Sequence, residues 1–205
     1  MTNKERIAEF EDLLMKTGRE NILDLIRFIR NSDFYTAPAS TRYHSCHEGG
    51  LLEHTMNVYT ALKAKKYNPG WQGILKDVGD ESIVISALLH DLCKSYFYIT
   101  EMKNKKVYSP TGKKIDDQGR FDWVSVPGYT VDDKIPYGHG EKSAMMVEEY
   151  IRLKPVERYA IRWHMGFTEP KENWNALSAA IRKYPLILAL HEADLEATYL
   201  MEVEE

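Results

Sequence analysis

The amino-acid sequence predicts a mostly α-helical chain with one small β-hairpin insertion, and three observations lead there. Apolar residues recur at spacings of three and four over most of the chain, as on one face of a helix. Between Tyr96 and Thr130 that period gives way to short β-branched and aromatic runs broken by turn residues. No internal repeat, low-complexity tract or linker rich in Gly, Pro and Ser divides the 205 residues, so a single domain over 1–205 is expected.

The elements follow in order. Residues 4–16 carry Ile7, Phe10, Leu13 and Leu14, and residues 20–31 carry Ile22, Leu25, Ile26 and Ile29, which makes two amphipathic helices within an N-terminal 1–40 portion. The stretch "NSDFYTAPAS" reads as a turn, and Gly49-Gly50 suits a loop that ends where a helix over 51–66 begins. Residues 82–94 form a fourth, largely buried helix. The runs "YFYITEM", "KKVYS" and "RFDWVSV", separated by "SPTG" and "DDQG", predict a β-ribbon inserted at 96–130. Helical pattern resumes over 140–153, from Pro155, a good first-turn residue, to 163, and then over 176–183 and 185–199.

Composition narrows the function. Basic residues number 27 against 31 acidic ones, for a net charge of -4, so no field on the scale of duplex nucleic acid is present. A short oligonucleotide is the largest nucleic-acid partner this balance suits. The five lysines between Lys103 and Lys114 read as a solvated hairpin. No apolar run reaches the roughly 20 residues that span a bilayer. The charged start "MTNKERIAEFEDLL" and the use of two cysteines set the expectation of a cytoplasmic protein without disulfides, and make each cysteine a small buried hydrophobe.

The chemistry concentrates in a few side chains. In "SALLHDLCKS", His90 and Asp91 close a nearly unbroken apolar run, where an imidazole and a carboxylate need partners. Candidates for those partners stand on or at the ends of other helices: His54 in "GGLLEHTMNV", His139 in "YGHGEKS", His164 in "IRWHMG" and Asp194 in "LHEADLEA". A helical bundle aims such groups into its centre to build metal sites. Four imidazoles and two carboxylates suit borderline divalent ions such as Fe, Mn, Ni, Co or Zn. Taken singly, His47 and His191 are surface or capping residues.

The order His, His-Asp, distant Asp resembles the signature of the HD-domain metal-dependent phosphohydrolases, over about residues 43–200. His54, His90, Asp91 and Asp194 match its four defining positions, and "GGLLEH" resembles the lead-in to the first of them. His139 and His164, between the dyad and the last Asp, resemble the six-ligand branch that binds two metals, which includes the HD-GYP phosphodiesterases, inositol oxygenase and a phosphonate-cleaving oxygenase. "MGFTEP" follows His164 in place of Gly-Tyr-Pro, which speaks against cyclic dinucleotide specificity.

The resemblance implies an HD-domain helical bundle. One divalent ion would take His54, His90, Asp91 and Asp194, and a second, bridged by Asp91, would take His139 and His164. It further implies a phosphomonoesterase or phosphodiesterase that acts on a small phosphoester or nucleotide through metal-activated hydroxide, with Asp91 and Lys94 as catalytic residues. Lys94 would also bind the substrate phosphate, helped by Arg42 and His44 at the mouth of the site and by Lys142 near His139. The ribbon, with Trp123, would flank the pocket. The alternative implied by the same ligands is a di-iron oxygenase of the inositol-oxygenase or phosphonate-oxygenase type.

Overall fold

The computed structural model describes residues 1–42 and 45–203. Helix α1 (Asn3–Lys16) starts at Thr2, whose hydroxyl accepts from the Glu5 amide at 3.3 Å while the Glu5 carboxylate accepts from the Thr2 amide at 2.8 Å. Each orphan donor is met by the other residue. Helix α2 (Ile22–Asn31) buries Ile22, Leu25, Ile26 and Ile29, the stripe its spacing predicts. The two glycines at the start of α3 (Gly50–Tyr67) have separate reasons. Gly49 takes φ +79° at the N-cap, and a Cβ on Gly50 would stand 1.9 Å from the Ser45 carbonyl oxygen. Only a glycine lets the 45–50 loop fold that tightly onto the start of the helix.

After a single turn, α4 (Pro69–Gln72), helix α5 (Asp80–Leu89) is buried from Ser82 through Leu89. A helix apolar all round belongs in the centre of the core. It stops at Leu89, short of the expected Lys94. The His90 imidazole takes the Ala87 carbonyl at 2.8 Å, an acceptor the next turn would need, and Asp91 leaves helical geometry at φ -107°, ψ 20°. A 3-10 turn over Leu92–Lys94 follows.

The insertion is a three-stranded antiparallel sheet. Strand β1 (Tyr98–Tyr108) pairs along its whole length with β3 (Gly119–Val131), Tyr98 opposite Val131 and Tyr108 opposite Phe121, and the short β2 (Lys114–Asp116) adds to the far side of β3. Tyr98 anchors its base, its hydroxyl donating to the Ala39 carbonyl at 3.1 Å.

Helices α6 (His139–Glu148), α7 (Pro155–Trp163), α8 (Trp174–Lys183) and α9 (Leu186–Glu196) complete the chain, and a π-helical turn over Ala197–Met201 replaces the end of the longer helix expected to 199. Helix α3 lies against α5 and α9, and α7 against α5, α6 and α9. One apolar core runs through them from Phe10 to Ala197, with Leu177, Ala180 and Ile187 in a small satellite. The chain is thus mostly helical with a small sheet. No described helix is long and apolar enough to cross a membrane.

Candidate metal centre

Six side chains that the sequence singles out meet where these helices converge. His54 sits one turn into α3, His90 caps the end of α5, and Asp91 follows it. His139 opens α6, His164 caps the end of α7, and Asp194 lies on α9. Asp91 is at the centre. Its Oδ2 lies 3.4 Å from His90 Nε2 and 3.7 Å from His54 Nε2, while its Oδ1 lies 2.7 Å from His139 Nε2 and 3.6 Å from His164 Nε2. Asp194 Oδ1 is 3.2 Å from His54 Nε2.

The opposite nitrogen of each ring is tied down. His90 Nδ1 donates to the Ala87 carbonyl at 2.8 Å and His164 Nδ1 to the Ile161 carbonyl at 2.7 Å. His54 Nδ1 is 3.0 Å from Glu202 Oε1, and His139 Nδ1 is 3.3 Å from Cys93 Sγ. These bonds turn all four Nε2 atoms toward Asp91 and Asp194, the arrangement in which a backing acceptor sets the tautomer of a metal-binding imidazole. His90 Nε2 is buried and has no hydrogen-bond partner. A lone pair buried without a donor is costly, and a cation would satisfy it. Among the described residues, three overlapping groups could hold a metal ion: His54 with His90 and Asp194, His90 with Asp91 and His164, and Asp91 with Cys93 and His139.

Charge is shared out accordingly. Burial pushes the His54 pKa down, but the hydrogen bonds the ring donates to Asp194 and Glu202 outweigh it and raise the ring to about 9. His139 rises to about 9 in the same way, burial being overcome by Asp91 and Cys93. Burial would lift Asp91, yet the charge of Lys94 and the bonds from His139 and His164 hold it well below the usual carboxylate range. Asp194 is held down against burial by His54.

A cavity of about 700 Å³ opens onto this cluster and is lined by Asp91, His139, His164 and Asp194 together with Arg42, Lys94 and Tyr98. Lys94 Nζ lies 2.7 Å from Asp91 Oδ2, carried there by a 3-10 turn and not by the longer helix that the sequence predicts. Arg42 lies at the wall and His44 lies outside the described residues. The expectation for Lys142 needs correction. Its ammonium is buried, ion-paired with Asp133 and 5.0 Å over the Phe97 ring, and it does not line the cavity. The ribbon also needs correction, because its base, Tyr98 and Val131, borders the cavity while Trp123 pairs with Lys106 eight positions out along β1.

Over 64 residues, 31% of this chain, the sequence is 44% identical to the dihydroneopterin 2',3'-cyclic phosphate phosphodiesterase of Methanocaldococcus jannaschii. Part of the chain resembles a phosphodiesterase. The match spans 25% of that curated relative's length. No family model matches the chain, and no solved structure matches it.

Two contributors escaped the reading of the sequence. Glu202 reaches the back of His54 from the 197–203 turn, but in "YLMEVEE" it is one acid among three with no spacing to distinguish it. Cys93 is buried as a small hydrophobe should be, yet its sulfur also backs His139. His191, read as bland, donates from Nδ1 to the His164 carbonyl at 2.8 Å and packs where Gly166, at φ +58°, has no side chain.

Proposed function

We propose that this chain is a metal-dependent phosphohydrolase of the HD-domain type, acting on a small phosphomonoester or phosphodiester such as a nucleotide, with two divalent transition-metal ions. One observation carries the reading: the two oxygens of Asp91 face opposite halves of the cluster, Oδ2 toward His54 and His90, Oδ1 toward His139 and His164. His54, His90, Asp194 and Asp91 Oδ2 would hold one ion, and His139, His164 and Asp91 Oδ1 the other. Imidazole with carboxylate is the donor set for Fe, Mn, Ni, Co or Zn. The partial likeness to a phosphodiesterase supports a phosphoester as substrate.

When bound, such ions lower the pKa of coordinated water toward neutrality and take up charge on phosphoryl oxygens. The chain's own groups do the rest. Lys94 is a compact cation at the cavity wall, already turned to the bridging carboxylate, and can donate charge-assisted hydrogen bonds to a phosphate oxygen. Arg42, at the outer wall, can orient the rest of the ester. Tyr98, whose phenol burial raises to about 12, stays protonated and holds the ribbon base beside the phosphate position.

The test is elemental analysis of protein purified without added metal, followed by an anaerobic screen of phosphomonoesters, cyclic nucleotides and short oligonucleotides. Two equivalents and chelator-sensitive hydrolysis are expected. Turnover that demands dioxygen, with no anaerobic hydrolysis, would replace this reading with an oxygenase.

A further inference from the structure

Glu202 has no part in the ligand set above, yet its side chain is 2% exposed and directed at it. Both carboxylate oxygens face His54 Nδ1, at 3.0 and 3.3 Å. The carboxylate is itself held from two sides. Asn57 Nδ2, one turn beyond His54 on α3, donates to Oε1 at 3.1 Å, and Ser45 Oγ donates to Oε2 at 2.8 Å. Ser45 stands at φ +46°, uncommon for a residue with a side chain, and its carbonyl occupies the space that Gly50 leaves open. The glycine that opens α3 thus lets the Ser45 hydroxyl reach the acid behind His54.

The other three rings are backed differently: two by main-chain carbonyls of their own helices and one by a thiol. His54 alone among them is backed by a carboxylate from a distant segment. A carboxylate behind an imidazole fixes its tautomer and makes it a stronger donor at the far nitrogen. The same segment supplies Thr198, Tyr199 and Val203 to the cavity wall.

We infer that Glu202 is the positioning residue for His54, and that the 197–203 turn it anchors is part of the metal centre, so that holding the first ion and docking this turn are one coupled equilibrium. The inference rests on the metal reading proposed above. Whatever binds the docked state better than the undocked one shifts the population toward it, and the coupling is reciprocal.

The test is calorimetric titration of the metal-free protein with Zn²⁺, on wild type, Glu202→Gln and Asn57→Ala, beside chymotryptic cleavage at Tyr199 and Leu200 with and without Zn²⁺. Glu202→Gln keeps the size of the side chain, and should weaken one of the two Zn²⁺ sites about 10- to 100-fold while leaving the other unchanged. Asn57→Ala, which loosens Glu202 without touching His54, should produce a smaller loss at the same site. Zn²⁺ should protect the turn from cleavage in wild type and fail to do so in Glu202→Gln. Wild-type affinity at both sites in Glu202→Gln would overturn the inference while leaving the metal reading intact. Equal weakening of both sites with loss of helical circular dichroism would also overturn it, as a general structural role. No Zn²⁺ uptake by wild type would overturn the metal reading and the inference together.

Discussion

His90 and His164 are held identically at the ends of two different helices. Each ring turns back so that Nδ1 bonds the carbonyl three residues earlier, and the two rings meet with centroids 4.9 Å apart. The pair brackets Asp91, Nε2 of His90 on its Oδ2 side and Nε2 of His164 on its Oδ1 side. The helix ends are thereby built as mirror supports for one carboxylate.

That relationship predicts unequal consequences for two substitutions. Asp91→Ala removes the group common to both halves and should lose both metal equivalents. His164→Ala should lose mainly the second. Elemental analysis of each purified variant decides the matter, and Asp91→Ala retaining a full equivalent would remove the bridging role.

Lys94 should separate binding of substrate from binding of metal. An ammonium cannot ligate a cation, so Lys94→Ala should keep wild-type metal content. It should also lower kcat/KM by about 10- to 150-fold, the worth of a charge-assisted hydrogen bond of roughly 1.5–3 kcal/mol. Lys94→Arg should recover part of the loss, since a planar guanidinium replaces a point charge. Unchanged turnover in the alanine variant would move the phosphate partner to Arg42.

Stability should respond most to Glu157, a fully buried acid on α7. It accepts from Arg19, from Ser82 Oγ at 2.6 Å and from the Lys154 amide at 2.8 Å. Glu157→Ala leaves those donors without their acceptor and should cost about 3–5 kcal/mol. Urea unfolding of the metal-free protein measures it. A loss below about 1 kcal/mol would mean that water reaches the donors.

Glu11 should make stability depend on acid. The Arg30 guanidinium, bonded through both Glu11 oxygens at 2.7 and 2.6 Å, holds its carboxyl below the ordinary range, with burial opposing and Tyr35 assisting. A carboxyl depressed in the folded state binds protons more readily in the unfolded one, so its contribution is full above the unfolded pKa near 4.3 and fades as pH falls through the folded value. Wild type should therefore exceed Glu11→Gln in stability at pH 6, and the gap should narrow below about pH 4. A gap independent of pH would assign the difference to packing.

The sequence made the cluster legible because His-Asp at the end of an apolar run is a conflict that something must resolve, and the other candidates stood on or at the ends of separate helices. It did not disclose where α5 stops, because the break comes from the His90 ring competing for a carbonyl. Lys142 was misplaced for a tertiary reason, since Asp133, in the loop before α6, claims its charge. Trp123 was misplaced because aromatic content says what a ribbon can touch and not how far along it the touch occurs. Glu202 was invisible because its role depends on a fold-back of the chain across 148 residues to His54.

The outer side of β1 carries no strand among the described residues, although the strand runs for 11 residues with Ile99, Met102 and Val107 exposed. An open edge of that length is a template on which another copy could add a strand. Of the lysines on that strand Lys105 is exposed, while the Lys103 ammonium donates to the Tyr129 carbonyl and the Lys106 ammonium pairs with Asp116 at 2.6 Å, both turned toward the rest of the sheet. Neutralising Lys105 should therefore ease strand addition at this edge and lower the protein's solubility while the helical bundle keeps its packing.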